Sequence, residues 1–483
     1  MSRVKKEILS GVKWSMVQKV TMQPIQFIFS VILARLISPD EMGILGLTAI
    51  FFSIAGQLQQ CGFGAALIRK QDRTDDDICT VFWFNIAMSF VFSMTLFLSA
   101  PLFVKFFDQP ALLNLTRVSA LLMFLGSTGS VHWTLYQARR DFKTPAIVSM
   151  CTTLVAMPFT IWAAFAGWSY WAPMLQGIIS SILGLITIWS ISPWKPRFRF
   201  SRTSFRELFG FGSRIAVSSI MISIYDESRT FIIGKFYSPA QLATFTRAFH
   251  LCSMPLQLGQ SILGSVFFPI ITTLQDTPEK MNAVFNKFCR VMLLATSWVM
   301  LTLAANAHSV IYTIYGERWI GCAPYIALLC FGIMCNPLAA LNNDFVNANG
   351  RSDLTMKCTF FIKIISMICM IIGAFHSVEG ICVAAVATGW IALFFYMFFT
   401  SKVSSISIAR QLGNIAYYAL LCGISLIPSV LLHWVDWPSL AKFIIGPASA
   451  AIIYIILLET LHDEAYHNLK SILLDKIRKH VSK

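Results

Sequence analysis

Stretches of about twenty apolar residues recur along the whole chain, and a stretch of that length crosses a bilayer as a helix. Fourteen can be marked, at 14–36, 42–67, 79–103, 113–137, 145–166, 169–192, 208–234, 240–270, 284–306, 321–346, 355–375, 379–401, 413–433 and 439–460. The second, eighth and tenth have the least distinct ends, because they contain Gln57, Gln59, Gln60, Pro255, Pro269 and Pro337. Hydrocarbon offers the backbone no partners, so a chain of this kind must satisfy its own N–H and C=O groups. The pattern therefore predicts an all-α polytopic membrane protein. Composition agrees: 13% of the 483 residues are charged, against roughly 25% in soluble domains.

The net charge of +15 sits mostly in the short connections. With the N-terminus inside, about 27 Lys and Arg fall on that side and about two on the other. The basic side includes Arg69, Lys70, Arg139, Arg140 and the run KPRFRFSR at 195–202. This asymmetry places both termini in the cytoplasm, explains the charge by membrane topology, and argues against nucleic acid as a partner. The opening segment MSRVKKEILSGVKW reads as a basic amphipathic helix on the inner leaflet rather than a cleavable signal. The tail, with Lys476, Arg478, Lys479 and Lys483, reads as a solvated helix near anionic headgroups. Twelve scattered Cys, mostly inside apolar stretches, read as small buried hydrophobes, with no metal site, cofactor or disulfide framework implied.

The two halves repeat. ARLISPDEMG at 34–43 aligns with GKFYSPAQLA at 234–243, which places Arg35 on Lys235 and Ser38-Pro39 on Ser238-Pro239. QARRD at 137–141 likewise resembles ANGRS at 348–352. The repeat is six helices long with the same topology in both copies, which implies pseudo-symmetric bundles around a central cavity. The expected organisation is a bundle over 1–193, a basic linker over 194–207, a second bundle over 208–401, an appended helix pair over 402–460 and a basic tail over 461–483. Two bundles flanking a cavity can rock between inward-open and outward-open states, which argues for transport.

Charges at membrane depth are costly and mark function or snorkelling. The seventh span carries Asp226, Glu227 and Arg229 within IYDESRTFIIGK, and the eighth adds Arg247 and His250. Lys19, Arg117, His132 and Arg214 are further polar residues within spans. Arg229, Arg247, Lys19 and Arg214 are the candidates for binding an anionic substrate, since guanidinium and ammonium groups in an aqueous cavity would hold phosphate. Asp226, Glu227 and His250 are the candidates for carrying a coupling H+ or Na+.

Several segments point to a family. GVKW at 11–14, LARLISPDEMGILGL at 33–47, GFGAALIRK at 62–70 and TVFWFN at 80–85 resemble the polysaccharide transporter family of Wzx-type oligosaccharide flippases, nearest to its WzxC-like group. TRAFHL at 246–251, VFFPIITTLQD at 266–276, YGERW at 315–319 and VNANGRSDL at 346–354 continue the resemblance, which covers roughly 1–400. It implies two six-helix bundles with two extra helices, and an undecaprenyl-pyrophosphate-linked repeat unit of a surface polysaccharide as substrate. It also implies the bacterial inner membrane as location, and a polymerase and glycosyltransferases of the same pathway as partners. Family members often carry an Asp shortly before the IGK-like segment, where this chain has Ser228; Asp226 and Glu227 stand just upstream.

Two rivals are weighed against this reading. A polysaccharide polymerase or ligase would need a large outer loop and a catalytic constellation, and neither is apparent, so no enzyme activity is expected. A drug/cation antiporter of the same superfamily would want a smaller cavity dominated by acids and aromatics.

Overall fold

The structure, a computed structural model, describes residues 2–60, 62–262 and 266–481. Lys483 lies outside them, as do the side chains of 2–13, Gln57, Gln59, Gln60, Lys476, Arg478 and Lys479. Among the described residues the regular structure is helical and no strand occurs. The chain divides into two compact units, Met1–Ala243 and Thr244–Lys483.

The first unit holds α1 (Ser2–Leu36), α2 (Pro39–Gln60), α3 (Phe63–Arg69), α4 (Asp75–Phe107), α5 (Leu112–Ala138), α6 (Lys143–Phe165), α7 (Trp171–Ile191), α8 (Arg202–Phe236) and the first turn of α9 (Pro239–Ile262). Here α4 pairs with α5, α6 with α7 and α1 with α6, while α8 lies on α2, α3 and α4. The basic segment before α8 therefore precedes a helix that packs on α2, α3 and α4. The second unit holds the rest of α9, then α10 (Phe268–Thr272), α11 (Pro278–Ala305), α12 (Ala307–Ile314), α13 (Cys322–Ile333), α14 (Asn336–Ala348), α15 (Ser352–Ala374), α16 (Val378–Val403), α17 (Ile408–Leu431), α18 (Ser439–Thr460) and α19 (Glu464–Val481). Within it α15 pairs with α16, α17 with α18, and α11 with both α13 and α17.

Twelve spans among the described residues are long and apolar enough to cross a membrane. They coincide with twelve of the fourteen expected; the other two expectations, 42–67 and 240–270, fall on α2 and α9, each of which includes side chains outside the described residues. Two of the three spans with indistinct ends, the second and the tenth, are broken among the described residues. The second is cut between α2 and α3, where Gly62 takes φ 67°, a left-handed conformation that glycine adopts without steric cost. The tenth is cut between α13 and α14, where Pro337 sits in the first turn of the new helix and supplies no N–H to continue the old one.

The helices bury one stripe against neighbours and leave the other apolar. Phe63, Leu67, Cys79, Phe82, Leu135 and Leu208 form one core, and Phe29, Leu33, Ile37, Met157 and Ala163 another. Leu98, Leu102, Trp162, Ile186 and Phe360 are exposed. An apolar exterior is unstable in water and is the stable arrangement in lipid. Helix α8, with 35 residues, is ~52 Å long at 1.5 Å per residue, well beyond the ~30 Å hydrocarbon, so its ends stand outside the apolar layer.

The repeat is visible in matched helix starts. Glu41 accepts from the Ser38 amide at 3.0 Å while Ser38 Oγ accepts from the Glu41 amide at 3.4 Å. Gln241 accepts from the Ser238 amide at 3.2 Å and Ser238 Oγ accepts from the Gln241 amide at 3.2 Å. Both are capping boxes with Pro as the first helical residue. The two starts also touch. A Cβ on Gly43 would overlap the Pro239 backbone, one on Gly46 would meet Leu242 at 3.5 Å, and one on Gly234 would overlap Leu47. Small residues at these crossings let the backbones approach closely.

Candidate functional site

Helix α8 begins at Ser201, whose Oγ accepts from the Ser204 amide at 3.3 Å, a side-chain cap of the kind that starts helices. It approaches the break after α2 so closely that a Cβ on Gly62 would overlap the Gly212 carbonyl. Further along, the charged cluster presents one residue on each of several faces. Asp226 is exposed, Glu227 and Arg229 are half-buried, and Ser228 is buried with its hydroxyl donated to the Tyr225 carbonyl. Glu227 hydrogen-bonds Ser53 of α2 and Thr230 one turn on, and Asp226 and Arg229 act on its charge. The α2–α8 crossing thus holds an acid, a base and two hydroxyls inside a membrane-spanning helix. An acid so placed can carry a proton or alkali ion, and a guanidinium beside it can bind an anion or balance the acid.

In the second unit Arg247 of α9 lies over two rings, 5.3 Å from the Tyr315 centroid and 5.1 Å from that of Trp319. Both rings come from the YGERW segment and are buried. The segment folds back because Gly316 takes φ 92°, which opens a short 3-10 turn at Glu317–Trp319. Cation–π contact fixes the guanidinium plane while leaving edge N–H groups able to donate. His250, exposed on the same helix, feels the charge of Arg247.

Of the sequence-selected residues, Asp226, Glu227 and Arg229 are thus brought together with Ser53, and Arg247 is brought beside His250. Arg214 is exposed on α8, twelve residues and ~18 Å along the axis from Asp226. Lys19 is exposed on α1. Arg117 stacks on Phe97 at 5.0 Å. His132 is fully buried, its Nδ1 2.8 Å from Ser192 Oγ and its ring between Trp189 and Trp194.

Sequence reasoning missed four polar constellations. The basic run at 195–202 is strapped to the start of α4. Trp194 Nε1 donates to Asp75 at 2.9 Å, Trp83 Nε1 donates to the Arg197 carbonyl at 2.8 Å and the Ser201 amide donates to Thr80 at 3.0 Å. Arg197 and Arg199 pair with Asp75 and Asp76, each at 3.5 Å. The signal was present as three consecutive acids, Asp75 to Asp77, facing a basic run more than a hundred residues later. Beside the strap, Lys70 bridges Glu207 at 2.9 Å and Asp77 at 3.0 Å. In the second unit, Arg290, Tyr418 and Asp463 converge from α11, α17 and the start of α19. Finally, Cys252 and Cys330 approach to 3.5 Å between sulfurs in the packing of α9 on α13.

Comparison with known proteins adds sequence and fold relatives. Residues 32–324 match the family described as "Polysaccharide biosynthesis protein". The teichuronic acid biosynthesis protein TuaB of Bacillus subtilis (strain 168) is 22% identical over 73% of this chain and 74% of its own. The lipopolysaccharide biosynthesis protein WzxC of Escherichia coli (strain K12) is 21% identical over 77% and 76% respectively. Among solved structures, the inward closed conformation of the lipid II flippase MurJ superposes with a TM-score of 0.70 at 13% identity, covering 93% of this chain and 99% of that one. That likeness is one of fold.

Proposed function

The chain belongs to the polysaccharide biosynthesis protein family, and from that premise we propose that it is a flippase for undecaprenyl-pyrophosphate-linked oligosaccharide repeat units. The observation that carries the reading is the family match over 32–324, which takes in both capping-box turns, the charged cluster of α8 and the aromatic seat of Arg247. The names of the relatives, for teichuronic acid and lipopolysaccharide biosynthesis, support the same class of cargo.

In this proposal the protein sits in the bacterial inner membrane with both termini in the cytoplasm, and it is a carrier rather than an enzyme. The carrier alternates between inward-open and outward-open states. Arg229, Arg247, Lys19 and Arg214 are the candidates for meeting the pyrophosphate of the headgroup, whose charge and hydrated glycan bar it from crossing hydrocarbon unaided. The prenyl tail stays in lipid. Asp226, Glu227 and His250 take up H+ or Na+, whose gradient biases one state over the other; a bound ion shifts the equilibrium only by its difference in affinity for the two. The pathway's glycosyltransferases supply the substrate and a polymerase consumes it.

The experiment is deletion of the gene followed by extraction of lipid-linked oligosaccharide. The expected result is loss of surface glycan with the lipid-linked unit accumulating in the inner leaflet. Unchanged surface glycan with no accumulated intermediate would refute the proposal.

A further inference from the structure

The C-terminal ends of α4 and α8 lie side by side and form a hollow of about 560 Å³, lined by Leu102, Phe103, Lys105, Phe106, Phe231 and Lys235. Its walls are aromatic: the Phe106 and Phe231 rings stack at 5.6 Å with an interplanar angle of 27°. Lys235 is anchored there, its ammonium donating to the Phe106 carbonyl at 2.5 Å and lying 4.1 Å from the Phe106 centroid. Lys105, from the last turn of α4, is exposed at the same hollow.

A lysine in the last turn of a helix is expected from the helix dipole alone. The dipole does not account for two lysines from different helices meeting at one apolar hollow whose lining contains no acid. We propose that this hollow is a binding site for an anionic phospholipid of the surrounding bilayer. One acyl chain lies against Leu102, Phe103 and Phe231, and the phosphate sits between the Lys105 and Lys235 ammonium groups. The volume falls within the range of small-molecule sites, roughly 300–1,000 Å³. Ammonium groups at the membrane surface favour anionic over zwitterionic headgroups, because a choline would bring a cation of its own to the two lysines. The lysines stand at the helix ends, at headgroup rather than hydrocarbon depth. In the orientation proposed above this is the outer leaflet, but the site itself does not depend on what the protein transports.

Native mass spectrometry of the full chain, purified in detergent and supplemented with phosphatidylglycerol or phosphatidylcholine, tests the proposal. The expected result is about tenfold preferential retention of phosphatidylglycerol, reduced by Lys105→Gln and abolished by Lys105→Gln with Lys235→Gln. Gln removes the charge and keeps a polar N–H donor, one bond shorter than the ammonium. Should the double variant not fold, the single Lys105→Gln carries the test, since Lys105 is exposed. Equal retention of the two lipids by the wild type overturns the proposal, as does an unaltered preference in Lys105→Gln. Displacement of phosphatidylglycerol by equimolar undecaprenyl phosphate would give the hollow to the cargo lipid instead, and would also overturn it.

Discussion

Arg290 Nη2 lies 3.1 Å from Asp463 Oδ2, and the Asp463 side chain is fully buried. Tyr418 donates to the same carboxylate at 3.0 Å, Arg290 Nη1 reaches Glu464 at 2.9 Å, and Asp463 Oδ1 accepts from the Tyr466 amide at 2.9 Å. One buried acid therefore caps α19 and ties α11 to α17 and α19. Removing one partner of such a pair strands the other without water, at a cost of ~3–5 kcal/mol, whereas removing both costs far less. Arg290→Met is expected to lower the thermal unfolding midpoint of the detergent-purified protein markedly. Arg290→Met with Asp463→Asn is expected to recover most of the loss. Equal midpoints for Arg290→Met and wild type would show that the pair holds nothing.

Gly43, in the second turn of α2, lies against Pro239 at the start of α9, with no room for a Cβ. Overpacking of a tight crossing costs ~1–3 kcal/mol. Gly43→Ala is expected to destabilise by about that much, whereas Gly56→Ala, where a Cβ would meet nothing within 4 Å, is expected to be neutral or slightly stabilising, because Ala is the better helix former. Thermal melts of the two variants in one detergent decide the matter; the idea fails if Gly56→Ala is the worse of the pair.

The Lys70 ammonium is held first by Glu207 and then by Asp77, and these hydrogen bonds raise its pKa above the ordinary lysine value. A raised folded-state pKa gives stability that is complete below the unfolded value, about 10.4, and is lost as pH rises through the folded value above it. Stability from this group is therefore flat between pH 6 and 9. Asp77, its side chain 1% exposed, loses a charged partner in Lys70→Met, at a cost of ~2 kcal/mol. The gap between wild type and Lys70→Met is expected to hold constant from pH 6 to 9 and to narrow above about 10.4. A gap that widens with alkalinity would contradict this assignment.

The fold was legible because hydrocarbon enforces it. Twenty apolar residues leave few choices, and the spans read from composition fall on helices of the structure throughout. The S-P-x-E and S-P-x-Q turns carried the repeat because a capping box needs those residue types at that spacing. The breaks in the second and tenth spans were legible only as blurred ends: Gly62 and Pro337 mark them, but a hydropathy window averages over a single residue. The charged cluster at 226–229 was legible because charge is rare at membrane depth. Its partner Ser53 was not, since one hydroxyl in an apolar stretch carries no signal of direction. The seat of Arg247 on Tyr315 and Trp319, and the strap of Arg197 and Arg199 on Asp75 and Asp76, join residues tens to more than a hundred apart. Only packing brings such residues together.

In the proposal Glu227 serves coupling and Arg229 serves substrate binding, and substitutions test the two roles separately. Glu227→Gln keeps a polar side chain for Ser53 and Thr230 but removes the ionisable oxygen. If Glu227 carries the coupling ion, this variant is expected to bind lipid-linked oligosaccharide and fail to move it, so that the inner-leaflet intermediate builds up at wild-type protein abundance. If Arg229 binds the substrate phosphate, Arg229→Ala removes a charge-assisted contact that costs ~1.5–3 kcal/mol, roughly 10- to 150-fold in affinity. It is expected to weaken substrate binding and export without unfolding the protein. The readouts are surface glycan, extracted lipid-linked oligosaccharide and membrane abundance of each variant. Normal export by Arg229→Ala at wild-type abundance removes Arg229 from the binding set, and normal export by Glu227→Gln removes Glu227 from the coupling set. Neither result touches the family assignment, because a carrier can place its binding and coupling groups on other helices of the same fold.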